Sequence, residues 1–281
     1  MKKGPKIFAV IMLLAGISFL LYPYVSNLIS EYQQKQIIET YIGTVKTVSE
    51  EQHSGLFDDA QKYNEELYTQ QKKGVFREEG LENYNNILRI DNTGVMGYVE
   101  IPSIDVRLPI YHGTDDVILQ AGPGHSGYTS IPIGGENTHA MLFGHSALPQ
   151  SKLFTDLETL QLGDYFNIGV LRKKLNYKII KIEVVEPNEL VDRLAIEEGR
   201  DLVTLVTCTP YGVNSHRLVI TGERTEDDVE KITEELIVRQ EKKHHNIELL
   251  LCIAIATTVV ALLTIIAVIV WKKRRRTKTK A

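Results

Sequence analysis

The chain has 281 residues, a formal net charge of −4, 43% hydrophobic residues and only two cysteines. That length accommodates one globular core of ordinary size plus accessory segments, and two cysteines exclude a disulfide-built scaffold. Both ends are basic, so the portion between them is acidic, which argues against nucleic acid as a partner.

At the N-terminus Lys2, Lys3 and Lys6 precede an apolar stretch from Ile7 to Leu21 that stops near Pro23. This fits a signal peptide or an uncleaved anchor; Tyr22-Pro23-Tyr24 occupies the place of a small-x-small cleavage site, so residues 1–29 read as an anchor. Residues 30–91 follow as a helical stalk with a possible lid region. In it Ile37, Tyr41, Val45 and Val48, then Leu56, Ala60, Tyr63 and Leu67, repeat at helical spacing. Two amphipathic helices docked on the next domain are expected, against the alternative of a mobile stalk. Asp58 and Asp59 are expected near the start of the second helix.

From Asn92-Thr93-Gly94 short β-branched runs alternate with Gly and Pro. Strands are predicted around 97–102, 106–111, 140–143, 165–168, 177–180, 181–185, 202–207 and 217–221. One short helix is predicted over Lys152 to Leu160. The expected fold is mainly β, a closed barrel of seven or eight short strands over residues 92–224, preceded by the two helices and flanked by membrane segments. A polar linker, 225–247, leads to a C-terminal transmembrane helix, 248–271, in which Leu249 to Trp271 is apolar apart from threonines. The basic run Lys272-Lys273-Arg274-Arg275-Arg276 heads a tail, 272–281, expected on the cytoplasmic side. The N-terminal lysines point the same way, which leaves everything between the spans outside.

Cys252 falls in the C-terminal apolar segment, so Cys208 is the one thiol of the external part. A lone external thiol gains nothing from a disulfide and is a chemical candidate. It becomes a nucleophile when a neighbour, most often histidine, favours the thiolate. His53 lies on the stalk and His244-His245 flank the membrane; His145 ends a strand beside Gly144 and is the best placed of the external histidines. His139 is an even number of positions away on the same strand face and competes on geometry. An oxyanion also needs a donor. A tight turn, Thr209-Pro210-Tyr211-Gly212, returns the chain beside Cys208 at His216-Arg217. Consecutive residues face opposite sides, so one of the two meets the thiol, and spacing does not say which. There is no CxxC, HExxH, calcium loop or nucleotide loop, so neither metal nor cofactor is expected.

Thr204-Leu205-Val206-Thr207-Cys208 resembles the TLxTC signature of sortases, with Arg217 at the spacing of the family's active-site arginine and Phe143-Gly144-His145 like the segment that carries its histidine. The string from Cys208 to Leu218 is similar to the class C, pilus-building sortases, as are 94–102, 108–113 and 152–157. The resemblance implies a membrane-anchored cysteine transpeptidase of a Gram-positive cell. Cys208 would attack the threonyl–glycyl bond of an LPxTG-like sorting signal, His145 would shuttle the proton and Arg217 would hold the substrate backbone and oxyanion, with Thr207 as a substrate-contacting position. The partners implied are pilin or surface-protein sorting signals, a lysine or wall-peptide amine acceptor, and membrane lipid. The alternatives are a housekeeping sortase that loads cell-wall peptide and a non-catalytic external barrel that binds surface proteins. Many class C members carry a lid with an Asp-Pro-aromatic anchor. The stretch Val75 to Asp91 has Phe76 and Tyr84 but no such tripeptide, so that lid is not carried over.

Overall fold

The computed structural model of the chain describes residues 4–74, 83–91, 93–148 and 150–226. The expected linker from 227 on, the C-terminal span, the basic tail and Phe76 lie outside the described residues.

Eight strands close into a barrel: β1 (Val95–Ile101), β2 (Val106–His112), β3 (Gly124–His125), β4 (Thr138–Phe143), β5 (Tyr165–Val170), β6 (Lys173–Val185), β7 (Asp201–Thr209) and β8 (His216–Arg224). Around the barrel they run β1-β2-β3-β4-β7-β8-β6-β5. Two neighbouring pairs, β2–β3 and β4–β7, are parallel and the others antiparallel. Alternation fills the interior: Phe166, Ile168 and Val170 of β5 join Ala140 and Leu142 of β4 and Val203 and Leu205 of β7. The Phe166 and Tyr177 rings stack there with centroids 5.5 Å apart. β4 and β7 are buried on both faces, which is why their sequences read as nearly continuous apolar runs. Residues 177–180 and 181–185 are one strand rather than two; a register shift between Ile179 and Lys181 accommodates the interruption. β3 has two residues, too short to leave an alternating pattern.

Helix α1 (Gly4–Thr47) runs without interruption through Pro23 and across position 29, where the sequence suggested a boundary. Its Phe8, Phe19 and Leu20 are exposed, and it is the one described helix long and apolar enough to cross a membrane. Further along it docks: Ile38, Tyr41 and Val45 are buried. The Tyr41 hydroxyl donates to Met96 O (3.0 Å) and accepts from Leu171 N–H (2.8 Å), tying helix to barrel. Helix α2 (Glu50–Lys72) buries Ala60, Tyr63 and Leu67. Its Asn64 amide exchanges two hydrogen bonds with the Ile131 backbone. The helix starts at a Ser49–Gln52 capping box with Glu50 and Glu51 in the first turn, so Asp58 and Asp59 sit mid-helix, contrary to expectation. The helix expected over Lys152 to Leu160 is only a 3₁₀ turn, Thr155–Thr159, because Leu153 is in the left-handed region (φ 38°), which a right-handed helix does not admit. A short helix that the sequence pattern did not predict, α3 (Asp116–Ala121), follows β2.

Residues 83–91 return from α2 to the barrel. Tyr84 docks there on β2 and β3, its hydroxyl between the carbonyl O (2.6 Å) and Nδ1 (3.0 Å) of His125 and accepting Gly113 N–H. His125 is fully buried, and its Nε2–H donates to Ser130 O at 2.8 Å. Burial pushes this imidazole down to about 3. An unfolded chain takes up the proton near pH 6.5 that the folded chain refuses until about 3, so this stabilisation is complete above pH 6.5 and fades as pH falls.

Denaturant unfolding of the detergent-solubilised chain therefore loses stability between pH 7 and pH 4.5, and His125→Gln recovers about 2 kcal/mol of that difference; an unchanged pH slope would sink the assignment. A Cβ on Gly169 would lie 2.0 Å from the Tyr98 ring. Gly169→Ala accordingly destabilises by about 1–3 kcal/mol, and a double-mutant cycle with Tyr98→Ala shows most of that cost vanishing once the ring is gone.

Candidate active site

The barrel's parallel pair decides which side chains meet. β4 runs alongside β7 with Phe143 opposite Val206, and the ladder continues one step as Gly144 N–H donates to Val206 O (3.0 Å). Two residues on from each paired position, His145 and Cys208 leave the same barrel end side by side. Flanking hydrogen bonds fix this junction. The Thr207 hydroxyl donates to Gly144 O (2.8 Å) and the Ser146 hydroxyl to Cys208 O (2.7 Å). Gly144 is needed because the Phe154 ring lies where a Cβ would be, 2.5 Å away. That ring also braces the start of the histidine loop.

Arg217 is the cross-strand partner of Cys208 in the β7–β8 ladder, whereas His216 pairs with Thr209 and so faces the other side. The His216 Nδ1 is engaged by the Ser215 hydroxyl. The guanidinium of Arg217 hydrogen-bonds through Nη1 to the carbonyls of Asn214 (3.2 Å) and His216 (3.1 Å), which holds it on the β7–β8 loop. Cys208, His145 and Arg217 are all partly exposed, and Cys208 is a free thiol. Such an arrangement suits acyl transfer: a sulfur nucleophile, an imidazole to move a proton, and a fixed fork of donors for a developing oxyanion.

His139 does not reach this end. It opens β4 opposite Leu202, is 5% exposed, and has both ring nitrogens occupied by Ala195 O and the Thr204 hydroxyl. Burial lowers its pKa, keeping it neutral as a core group. Thr207 is 2% exposed with its hydroxyl spent on Gly144, so its side chain braces the histidine segment and does not open onto the mouth. Tyr84 is engaged with His125, a residue that pairs with Leu142 further down β4.

Two residues at the site escaped sequence reading. Ser146 could have been suspected as a hydroxyl beside His145. Glu158, which accepts from the Thr209 hydroxyl (2.8 Å) and pins the end of β7 to the 155–159 turn, leaves no local signal. A cleft of ≈ 350 Å³ lies elsewhere, between α2 and residues 133–138, and contains none of these side chains.

Comparison with known proteins agrees with the fold. The sortase domain family matches residues 99–225. Sortase C1 from Streptococcus agalactiae superposes with a TM-score of 0.63 at 41% identity, covering 69% of this chain and all of that one. A sortase C from Clostridium perfringens, solved with the C-terminal cell wall sorting motif, gives 0.61 at 42% identity over 68% of this chain and 98% of its own. Sortase A of Listeria monocytogenes is 25% identical over 82% of this chain and 95% of its own length. The chain therefore belongs to the sortase family of cysteine transpeptidases, in its class C branch.

Proposed function

We propose that the chain is a membrane-anchored, pilus-polymerising transpeptidase in which Cys208, His145 and Arg217 carry the chemistry. The observation that supports it most directly is the pairing of Cys208 with Arg217 at a barrel end where His145 emerges alongside. The Cys208 thiolate attacks the threonyl carbonyl of an LPxTG-like sorting signal. The threonyl–glycyl bond breaks, His145 gives its proton to the leaving glycyl amine, and a thioester joins the threonyl carbon to Sγ. A lysine side chain of a second pilin then yields a proton to His145 and attacks the thioester. The sulfur leaves, and the product is an isopeptide bond. Arg217 holds the substrate backbone and the tetrahedral oxyanion, in keeping with its rigid planar donor set. The Clostridium perfringens relative, solved with a C-terminal cell wall sorting motif, supports the substrate class.

The apolar helix α1, and the apolar 248–271 segment with its basic tail, support a barrel held outside the cell between two membrane spans, both termini inside. The curated relatives named sortase A favour one second reading, attachment to a cell-wall peptide amine. The acceptor separates the two.

The test uses the full chain in detergent with a sorting-signal peptide and a lysine donor. Cys208→Ala and His145→Ala abolish cleavage and coupling. Arg217→Ala lowers kcat by about 10²–10³-fold, and Arg217→Lys recovers only part of that. Coupling that survives in Cys208→Ala removes the nucleophile. Mass spectrometry of products formed with both amines present shows the lysine isopeptide for the pilus reading and the wall-peptide amide for the other.

A further inference from the structure

The segment that carries His145 is a loop from Gly144 to Thr155, and it is closed at its base. Phe154 N–H donates to His145 O (3.1 Å) and Ala147 N–H to the Thr155 hydroxyl (3.0 Å). Its tip is a narrow bridge between Leu148 and Ser151. Two non-glycine residues, Ala147 (φ 62°) and Leu153 (φ 38°), sit in the left-handed region on either side of that tip. Such a backbone is held only when contacts outside the loop over-determine it.

Those contacts come from α1. Asn27 Oδ1 accepts Lys152 N–H at 2.9 Å, and the Ser30 hydroxyl donates to Ser151 Oγ at 2.9 Å. Gln34 Nε2 donates to Ser151 Oγ (3.3 Å) and Ser30 Oγ (3.2 Å), and the Ser26 hydroxyl to Gln150 O (3.4 Å). Residues 26, 30 and 34 stand four apart, and 27 is beside 26, so all four lie on one face of the helix. The polar stripe passes directly into the apolar stripe of Ile38, Tyr41 and Val45 that docks on the barrel. On its other side, Tyr22 to Val25 are exposed. Gln34 and Ser151 are 6% and 5% exposed, so the hydrogen bond between them is made out of water, while those of Ser26 and Asn27 lie nearer the surface. An apolar contact would bury as much surface but would let helix and loop slide. Directional bonds to Lys152 N–H and Gln150 O fix the loop's height along the helix.

We propose that the Ser26, Asn27, Ser30 and Gln34 stripe of α1 is a positioning device for His145, which makes the anchoring helix part of the catalytic unit and not only its tether. This rests on His145 being the proton shuttle. With the stripe intact the imidazole is held beside Cys208; without it the loop relaxes at its tip and the imidazole drifts from the sulfur. A displacement on the order of 1 Å at a reacting group costs up to about 10²-fold in rate.

The experiment compares Asn27→Ala/Ser30→Ala, Asn27→Asp/Glu31→Gln and Glu39→Ala with the unaltered full chain in detergent. Asn27→Asp keeps the acceptor for Lys152 N–H, and is made together with Glu31→Gln because Asn27 Nδ2 donates to Glu31 Oε1 (2.6 Å). Glu39 is on the same helix and, among the described residues, makes an exposed ion pair with Arg107 away from the loop. With a sorting-signal peptide and a lysine donor, the alanine double variant loses about tenfold in kcat with KM within about twofold. The limb of its pH–rate profile assigned to His145 moves. Asn27→Asp/Glu31→Gln restores most of kcat, and Glu39→Ala leaves it unchanged. Amide exchange over residues 147–153 quickens in the alanine double variant while the barrel strands stay protected, which separates local loosening of the loop from unfolding of the barrel. Unaltered kcat and pH profile, or exchange that rises equally across the barrel, overturns the inference. If instead His145→Ala remains fully active, the assignment of the site itself has failed, and the positioning role goes with it.

Discussion

The parallel pairing of β4 with β7 is the constraint on which the site depends. Because side chains alternate along a strand, a slip of one residue in that register would turn the cysteine or the histidine to the other side. The pairing therefore has to be locked. Part of the lock is apolar, with Ala140, Leu142, Val203 and Leu205 buried in the barrel. The rest is directional: Thr207 bonds to Gly144 and Ser146 to Cys208, each within one residue of His145 or Cys208. Apolar packing sets which strands are neighbours, and the hydroxyls set their height.

Arg217 depends on a different and more local constraint. β7 and β8 are antiparallel neighbours joined by a short loop, so the ladder that brings Thr204 opposite Thr221 also brings Cys208 opposite Arg217. The proposed nucleophile and oxyanion donor are thus held by one hairpin, while His145, the proposed proton carrier, follows a strand from elsewhere. The hairpin end is itself pinned, since Thr209 donates to Glu158. Placing Cys208, His145 and Arg217 at three strand ends keeps them on rigid elements while each stays partly exposed.

The two N-terminal helices brace the barrel from outside. α2 satisfies backbone groups of the 127–131 loop through Tyr63 and Asn64, and α1 does the same at Met96 and Leu171 through Tyr41. Buried polar contacts of this kind contribute modestly when made and cost about 1–3 kcal/mol when one partner is removed. They make the helices specific in position, where an apolar stripe alone would make them merely adherent.

Much of this was readable in the residues. The apolar run that opens α1, the helical stripes through Tyr41 and Tyr63, the β-branched strands and the hairpin that brings Arg217 beside Cys208 are local patterns, and local patterns survive in a one-dimensional string. The fold class and the family follow from them. Tertiary structure alone decided the non-local matters. β4 pairs with β7 along its whole length, and only the register sets His139 opposite Leu202 while His145 emerges near Cys208, through contacts across 63 residues of sequence that no spacing encodes. The two-residue β3, the seat of Tyr84 on His125 and the grip of α1 on residues 150–152 are likewise contacts between distant segments. Each exists only after the chain has closed on itself, because a hydrogen bond records where two groups finish in space and not how far apart they began.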